Sequence, residues 1–482
     1  MGSKKSKLLL IDDLETLLGQ DRVLSHPTEL LVYECDGLTL SKYGPEAVVL
    51  PHSTKEVSEI VKCCQKHEIP FLARGSGTGL SGGAVAAEGG IIIQMSKMSN
   101  ILEIDYDNEI AIVEPGVINL HLSEATRKNG YHFAPDPSSQ KACTIGGNVA
   151  ENAGGPHTLK YGVTTNHILG LTVVMPNGDI VELGGKEELN NGYDLVGIFV
   201  GSEGTLGITT EIIVRLSRNP ESYKTFLASF NTVESASHSV SQMIAKGIIP
   251  AALELIDNLS IIAVEDHIKA GFPVDAAAIL LIEIDGISSE LSNQANQIKG
   301  ICHSSGAINF QEAKDEKERI QLWKGRKEAM GALGKITPAF YTVDGVVPRS
   351  KLPEILKFDI ETGKLNGLKV AHLCHAGDGN IHPNILYNHM NESETKAAIE
   401  ISKAILQKCI DLGGALSGEH GIGTEKISSF KIMFNDADEA QMLAVRSSFN
   451  SSGLLNPSKI FPTGAKCGES RIRKTIAGGG WL

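Results

Sequence analysis

A chain of 482 residues, of which 41% are hydrophobic and 21% charged, has the length of two or three domains and the composition of a globular protein. Its formal net charge of −13 argues against a nucleic-acid partner, because such partners are bound by clustered Lys and Arg. The N-terminus has only four consecutive apolar residues, too few for a signal peptide or a membrane span, so we expect a cytoplasmic protein.

Eight cysteines are spread along the chain without a C-x-x-C pair, which argues against an iron–sulfur cluster and a structural zinc site. We therefore expect reduced thiols. If the protein carries out redox chemistry, its own chain offers no metal cluster to conduct the electrons onward.

The chain begins with a lead-in that we expect to be mostly helical over residues 11–45. A βαβ pattern follows, with a strand at Ala47–Leu50, a helix at about Thr54–His67 and a strand at Pro70–Ala73. The next strand is expected at Gly90–Met95.

A glycine-rich loop, Arg74 to Gly83, connects the last two of these strands. Gly77, Gly79 and Gly82 match the G-x-G-x-x-G pattern of dinucleotide-binding folds, but that fingerprint must open a helix. Here a strand begins about eight residues later, which excludes a Rossmann site. The N–H groups of such a loop can instead form a nest for a diphosphate, with Arg74 adding charge.

Two further glycine-rich blocks lie at Pro135–Val163 and Gly201–Ile208, the second after a predicted strand at Leu195–Val200. The longer block carries few apolar side chains that could pack into a core. Its backbone is therefore predicted to lie against a large planar ligand.

The second half of the chain alternates strands and helices in a pattern typical of a ferredoxin-like domain. Strands are predicted at Tyr223–Phe230, Ala251–Ile256, Ala277–Ile284, Ala307–Gln311 and Phe340–Val347, and the helices between them include Lys314–Leu333.

The stretch Val370–Leu386 predicts a β-hairpin, because Asp378-Gly379 favours a two-residue type I′ turn. In that register His375 directly faces His382, and the two imidazoles lie close enough to bind one metal ion.

Two more residues extend this hypothesis. Asn384 lies on the same face of the hairpin as the histidines. Glu419, in the later segment Ser-Gly-Glu-His-Gly, would complete a three-ligand set with coordination positions left open for a substrate. A polar hairpin whose histidines only form hydrogen bonds is the alternative.

The three glycine-rich blocks, in this order, resemble the flavin-binding domain of the vanillyl-alcohol oxidase and p-cresol methylhydroxylase (PCMH) superfamily. The second half, with LWKGRKEA, HAGDGNIHP, SGEHGIGTEK and GLLNPSK, resembles the FAD-linked oxidase C-terminal domain. Over roughly residues 30–462 the chain is similar to FAD-linked 2-hydroxy-acid dehydrogenases, a family that includes glycolate, D-lactate and D-2-hydroxyglutarate dehydrogenases.

The resemblance implies an α+β fold. The implied parts are a lead-in (1–45), a PCMH-type FAD-binding domain (46–218), a ferredoxin-like FAD-linked oxidase C-terminal domain (219–462) and a flexible tail (463–482).

The resemblance also assigns an FAD site. The residues that would hold the diphosphate are Arg74, Gly75, Gly77, Thr78, Gly79, Ser81 and Gly82. Those that would line the ribityl chain and flavin ring are Pro135, Asp136, Ser138, Thr144, Gly146, Gly147, Asn148, Asn152, Gly154, Gly155, Tyr161 and Gly162. The adenine half would contact Glu203, Gly204 and Ile208, and Asn456 would return near the flavin. Many members of the superfamily bond FAD through a His in the first loop, and since this loop has none we expect non-covalent FAD.

The substrate site is implied in the same way. Arg326 would bind the substrate carboxylate bidentately, although an Arg on an amphipathic helix is usually solvated surface. A divalent metal (Zn, or else Mn or Fe) would lie on His375, His382 and Glu419. His420 would bind the substrate hydroxyl and act as the base, and Asn384 would orient the carboxylate.

The resemblance therefore implies FAD-dependent oxidation of a small 2-hydroxy acid, with electrons passed to a quinone or an iron–sulfur partner subunit. Relatives that take a second carboxylate would carry a Lys on the strand before Asp344. This chain has Thr342 there, which favours glycolate or D-lactate over D-2-hydroxyglutarate. An oxygen-using oxidase and a flavin-binding module without turnover are the alternatives. A homodimer or a hetero-oligomer, peripheral at a membrane through its partner, is expected.

Overall fold

The computed structural model describes residues 4–187 and 192–462, so the tail predicted at 463–482 lies outside the described residues. The helices of the first half are α1 (Lys4–Leu18), α2 (Pro27–Leu30), α3 (Thr54–His67), α4 (Asn119–Thr126), α5 (Ile145–Glu151), α6 (Thr158–Tyr161) and α7 (Leu195–Phe199). The strands are β1 (Val23–Leu24), β2 (Ala47–Val49), β3 (Phe71–Arg74), β4 (Ile91–Gln94), β5 (Ile101–Asp105), β6 (Ile110–Val113), β7 (Tyr131–His132), β8 (Ile168–Val174), β9 (Ile180–Gly184), β10 (Ile208–Arg215) and β11 (Ser217–Arg218).

Two sheets build most of the first domain, with strand orders β1-β2-β4-β3 and β5-β6-β10-β8-β9. The predicted βαβ unit is confirmed, because β2 and β3 both pair in parallel with β4 and α3 connects them. Ser53 caps α3 by accepting a hydrogen bond from the Glu56 N–H, and the apolar face of the helix is buried.

Two sequence predictions fail in this half. The lead-in is helical at α1 and α2, but it also contains β1 and an irregular stretch after residue 33. The segment expected as a strand at Leu195–Val200 is the helix α7, which Asp194 caps through the Gly197 N–H. A short apolar run does not distinguish a strand from a buried helix by periodicity, so the cap decides the conformation here.

The second half contains one large sheet. Its helices are α8 (Val233–Ala245), α9 (Asn258–His267), α10 (Ser288–Ser304), α11 (Glu316–Lys327), α12 (Ala329–Ile336), α13 (Leu352–Leu365), α14 (Glu392–Asp411), α15 (Phe430–Met433) and α16 (Asp436–Phe449). Its strands are β12 (Ser222–Phe230), β13 (Ala252–Asp257), β14 (Ala278–Gly286), β15 (Ala307–Glu312), β16 (Ala339–Thr342), β17 (Gly345–Val346), β18 (Lys369–His375) and β19 (Asn380–Tyr387). The helix predicted at Lys314–Leu333 is thus two helices, and the strand predicted at Phe340–Val347 is interrupted at Asp344.

The sheet order is β15-β12-β14-β13-β18-β19-β16, with β17 pairing to β19. Its first four strands form the antiparallel ferredoxin-like arrangement that the sequence predicts, with α9 inserted between β13 and β14. The unit β16–α13–β18–β19 repeats part of this arrangement and joins the first unit where β13 pairs with β18. This junction places the histidine hairpin beside β13, inside the sheet.

The hairpin of β18 and β19 has a four-residue turn, 376–379, rather than the two-residue turn predicted at Asp378-Gly379. His375 therefore faces Asn380 instead of His382, and the predicted register is wrong by two residues. Since side chains alternate with a period of two, a slip of two residues leaves both histidines on one face of the sheet.

Neighbouring segments explain the longer turn. The Gly377 N–H donates to the Leu253 carbonyl at 3.1 Å, and the Val347 N–H donates to the Gly379 carbonyl at 3.0 Å. The turn backbone is thus bonded to other parts of the domain, and a tight two-residue turn would lose these bonds.

The end of the described chain returns to the first domain. Leu455 forms a parallel bridge with Phe71 at the edge of β3, and its side chain is buried in the first-domain core. Phe449, the last residue of α16, packs edge-on against Phe199 of α7.

Among the described residues, no helix combines the length and the apolar character that crossing a membrane requires.

Candidate active site

A cavity of about 420 Å³ lies between the two domains. The glycine-rich blocks of the first domain form one side. The second domain contributes Arg326, Lys327, Met330, Thr342, Leu373, His375, His382, Glu419 and His420. The candidate base, the candidate metal ligands and the candidate carboxylate clamp therefore share one cavity with the proposed flavin site.

Three candidate metal ligands converge at this cavity. Oε1 of Glu419 lies 3.4 Å from Nε2 of His375 and 3.2 Å from Nε2 of His382. The two imidazole rings are perpendicular, with centroids 5.2 Å apart. Two imidazole nitrogens and one carboxylate oxygen are donors that Zn, Mn and Fe all accept, so the residues present fit a divalent metal.

Glu254 on β13 holds two of the site residues, and sequence reasoning missed it. Its Oε1 lies 2.8 Å from Nδ1 of His375, and its Oε2 accepts a hydrogen bond from Nε of Arg326 at 2.6 Å. Burial alone would lower the pKa of His375, but the carboxylates of Glu254 and Glu419 raise it to about 10. A carboxylate bonded to the distal nitrogen of a ligand histidine is a common way of orienting that histidine. An acidic residue inside the apolar strand Ala252–Asp257 is the signal that could have revealed it.

Asp344, in the interruption between β16 and β17, holds the loop that carries the Glu419 ligand. It is fully buried and accepts hydrogen bonds from four consecutive residues. The donors are the Ser417 hydroxyl and the N–H groups of Gly418, Glu419 and His420. Burial opposes its ionisation, but the nearby His420 and Lys426 hold the pKa of Asp344 far below its usual range.

His420 stacks on His382, with ring centroids 5.0 Å apart, and its Nε2 lies 3.7 Å from Oε1 of Glu419. Burial lowers the pKa of His420 to about 4 despite the opposing charge of Asp344, so the imidazole is neutral at pH 7. The Nδ1 atoms of His420 and His382 are buried without a hydrogen-bond partner. Asp344, His382 and His420 also present three converging donor atoms, so they form a second candidate ligand set.

Arg326 is not a surface residue, since only 3% of it is exposed. It lies on α11 and lines the cavity. A guanidinium has five N–H donors, and the bond to Glu254 uses the one on Nε.

The sequence prediction for Asn384 is not met by this geometry. Asn384 is fully buried and lies outside the cavity lining, beneath Thr342. Its side-chain oxygen accepts the Thr342 hydroxyl at 2.8 Å, and its amide donates to the His382 carbonyl at 2.8 Å. Thr342, rather than Asn384, therefore lines the cavity at this point.

The glycine-rich blocks fit a large ligand. A Cβ built on Gly79 would meet no atom within 4 Å, and one on Gly204 would meet only the Asn456 amide at 4.0 Å, so side chains there would fill the cavity. The predicted FAD residues that line the cavity are Arg74, Gly75, Gly77, Thr78, Gly79, Ser138, Thr144, Gly146, Gly147, Asn148, Gly154, Glu203, Gly204 and Ile208.

The other predicted FAD residues lie outside the lining. They are Ser81, Gly82, Pro135, Asp136, Asn152, Gly155, Tyr161, Gly162 and Asn456. Several support the cavity wall: the Asn456 amide donates to the carbonyls of Gly83 and Glu203, and Asn152 terminates α5.

Arg74 and Glu203 line the cavity, but both are bound to protein groups. The Arg74 guanidinium donates to the carbonyls of Ala84 and Cys35, each at 2.8 Å. The Glu203 carboxylate accepts the N–H groups of Ile422 and Gly423 at 2.7 and 2.8 Å. These bonds fix the first glycine loop and join the two domains.

A buried polar seam also joins the domains beside α11. His157 lies 2.9 Å from Asp136 of its own domain and 3.4 Å from Glu283 of β14. Burial opposes protonation, but Asp136 and Glu283 raise the pKa of His157 to about 10. Glu283 also accepts hydrogen bonds from Arg319 and from Trp323, one turn before Arg326 on the same helix. The Tyr161 hydroxyl donates to Asp285 at 2.5 Å in this seam, away from the cavity.

Glycine-rich walls around a cavity, with imidazoles and carboxylates at one end, are the arrangement that the resemblance to FAD-dependent oxidoreductases implies. Two protein-family models match the chain: the FAD binding domain over residues 45–184, and the C-terminal domain of FAD linked oxidases over residues 219–460. The chain belongs to the family of FAD-linked oxidases.

Similar proteins agree with this assignment. The glycolate oxidase subunit GlcD of Escherichia coli (strain K12) is 44% identical, over 93% of this chain and 90% of that protein. GlcD of Bacillus subtilis (strain 168) is 40% identical, over 90% of this chain and 93% of that protein. A D-lactate dehydrogenase of Archaeoglobus fulgidus is 35% identical, over 86% of this chain and 90% of that protein.

Solved structures share the fold. p-Cresol methylhydroxylase superposes with a TM-score of 0.81 at 17% identity, over 95% of this chain and 97% of that one. 4-Ethylphenol oxidase from Gulosibacter chungangensis gives a TM-score of 0.78 at 17% identity, over 96% and 98%. The predicted fold class, a PCMH-type FAD-binding domain followed by an FAD-linked oxidase domain, is confirmed.

Proposed function

We propose that the protein oxidises a small 2-hydroxy acid, glycolate or D-lactate, to the 2-oxo acid. The observation that carries this proposal is the placement of Arg326, His420 and the His375–His382–Glu419 donors around one end of the flavin cavity. The names of the relatives, glycolate oxidase subunit and D-lactate dehydrogenase, support the same substrates.

In this proposal each group has one task. The terminal nitrogens of Arg326 bind the substrate carboxylate, while Glu254 fixes the guanidinium through Nε. His420 is neutral at pH 7 and accepts the hydroxyl proton, and the charge of Asp344 stabilises the imidazolium that results. His375, His382 and Glu419 would hold a divalent metal, which would polarise the substrate hydroxyl. FAD, when bound, supplies the acceptor for the two electrons and the hydrogen from C2.

The structure favours a short substrate but supplies one cation that sequence reasoning had not considered. Thr342 carries no charge for a second carboxylate. Lys327 lines the cavity, but its ammonium donates to the Gln140 side chain at 2.7 Å and lies 3.4 Å from Asp136. Since that ammonium is already paired, we keep glycolate and D-lactate as the proposed substrates, ahead of D-2-hydroxyglutarate.

We propose further that the electrons leave through a partner, either a quinone or an iron–sulfur subunit. Two of the relatives are named as subunits, which supports a hetero-oligomer. The seven cysteines within the described chain form no disulfide, and the sequence contains no C-x-x-C pair.

Anaerobic bleaching of the flavin tests the proposal. Glycolate or D-lactate should reduce the bound FAD, with D-2-hydroxyglutarate much slower, and exposure to air should restore the colour slowly. No bleaching with any 2-hydroxy acid would contradict the proposed reaction. Rapid re-oxidation in air would instead make the protein an oxygen-using oxidase.

A further inference from the structure

Glu151, the last residue of α5, lines the cavity with a carboxyl group that is incompletely bonded. Its Oε2 atom is buried and has no hydrogen-bond partner. An ionised carboxylate in such a position is unfavourable, because no hydrogen-bond donor of the described residues compensates the charge on Oε2.

A second carboxylate lies close by. A Cβ built on Gly421 would be 2.8 Å from Oε2 of Glu151 and 2.7 Å from Oε1 of Glu203, so the two carboxyl groups approach the same backbone position. Glu203 receives two backbone N–H groups, which stabilise its charged form. Two neighbouring carboxyl groups disfavour each other's ionisation, and Glu151 is the one whose Oε2 lacks a donor.

The cations in this region are engaged elsewhere. Lys426 donates to the Gly421 carbonyl and lies 3.0 Å from Glu425 and 3.6 Å from Asp344. Lys459 donates to the Val85 carbonyl at 2.8 Å.

Burial, Glu203 and Asp36 raise the pKa of Glu151 well above its usual range, although Lys426 and Lys459 oppose the shift.

Bound FAD would further disfavour the ionised form of Glu151. A Cβ built on Gly83 would lie 2.7 Å from Oε1 of Glu151, so the carboxyl group abuts the end of the first glycine loop, where the diphosphate is expected. The cofactor brings two negative charges and displaces water from the cavity, and both effects disfavour the ionised carboxylate.

We propose that FAD binding is coupled to the protonation of Glu151, whose neutral carboxyl group then donates a hydrogen bond to the cofactor. The inference rests on the FAD site described above and adds that Glu151 takes up a proton when FAD binds. By linkage, the affinity for FAD must fall as the pH rises through the range in which Glu151 ionises in the cofactor-free protein.

The test measures free FAD by its fluorescence after dilution of the full-length holoenzyme at about pH 6 to 10. We expect the dissociation constant of the wild type to rise by up to about tenfold per pH unit at the alkaline end. Glu151→Gln keeps a neutral donor at the same place, so its dissociation constant should stay nearly flat. Glu312→Gln, at a partly exposed residue of β15 outside the cavity, should behave as the wild type.

Calorimetry of FAD binding in buffers of different ionisation enthalpy counts the protons directly. The wild type should take up about one proton in the pH range where its affinity falls, whereas Glu151→Gln should take up none.

Two results would overturn the proposal. One is a wild type that takes up no proton, and the other is a Glu151→Gln variant that keeps the slope. The second result would point to Lys459, whose pKa is lowered to about 8 by burial. A wild type that binds no FAD at any pH would refute the FAD site itself, which separates that failure from this one.

Discussion

Glu254 and His375 are directly opposed across β13 and β18, with the carboxylate Oε1 2.8 Å from the imidazole Nδ1. This contact leaves Nε2 of His375 to point toward Glu419. Because the other oxygen of Glu254 binds Arg326, one buried carboxylate sets the positions of a metal ligand and of the proposed substrate clamp.

The first prediction concerns this carboxylate. Glu254→Gln removes the charge that orients His375, so the affinity for the divalent metal should fall about 10–100-fold while FAD content stays unchanged. Metal titration of the purified variant, set beside flavin absorbance, measures both. Unchanged metal affinity would mean that Glu254 does not orient His375 for the metal.

Arg326→Ala removes the proposed carboxylate clamp. We expect kcat/KM to fall at least about thirtyfold with FAD content unchanged, because truncating one member of a buried charge pair typically costs about 2–5 kcal/mol. The Glu254 carboxylate would also lose a partner, so thermal stability should fall. Lys324→Ala, at an exposed position of the same helix, is the control and should leave both unchanged.

Alanine variants of the three histidines should show two different phenotypes. His375→Ala and His382→Ala should each lose bound metal and turnover but retain FAD, because three ligands are already few. His420→Ala should keep the metal and lose about 10²–10⁴-fold in rate, since a base is missing. Metal loss on replacing His420 but not His375 would favour the alternative set of Asp344, His382 and His420, which also converges in the structure. Active wild-type protein without any metal would refute the scheme.

The cofactor should be held without a covalent bond. The purified protein should be yellow and should release free FAD into the supernatant on acid precipitation, because the first glycine loop carries no His. Flavin that stays with the precipitate would contradict this expectation.

The domain seam predicts a pH dependence of stability. The pKa of His157 is about 10 in the folded protein, against about 6.5 for an unfolded histidine. Its stabilising contribution is therefore fully present below about pH 6.5 and is lost as the pH rises toward 10. The free energy of unfolding, measured by denaturant titration across this range, should decline less in His157→Gln than in the wild type. His121→Gln, at an exposed position, should follow the wild type.

Much of this architecture is predictable from the sequence, because periodicity and capping act locally. Thr54–His67 is a helix with the predicted ends, since Ser53 caps it and its apolar spacing is regular. The hairpin shows where local rules fail. Its turn is lengthened by bonds to Leu253 and Val347, which are far away in sequence. The histidines nevertheless meet, because an error of two residues preserves the face of a strand.

The supporting residues of the site were harder to predict. Glu254 and Asp344 are not adjacent in sequence to any candidate ligand. Their roles appear only when β13, β18 and the Glu419 loop come together in the fold. Asn384 was placed on the correct face, but its amide is engaged by Thr342. The geometry of contacts between strands therefore decided which polar residue reaches the cavity.

The bridge between Leu455 and Phe71 has a consequence for biosynthesis. The edge of β3 is covered by a segment that leaves the ribosome almost 400 residues later, and Asn456 then bonds to Gly83 and Glu203. A nascent chain therefore cannot complete the walls of the flavin cavity until residues 455 and 456 have been translated. Domains that fold one after another during synthesis need no such contact, whereas the first domain here needs the segment that contains Leu455 and Asn456. A gene fragment encoding the first domain alone would yield a protein with an open sheet edge.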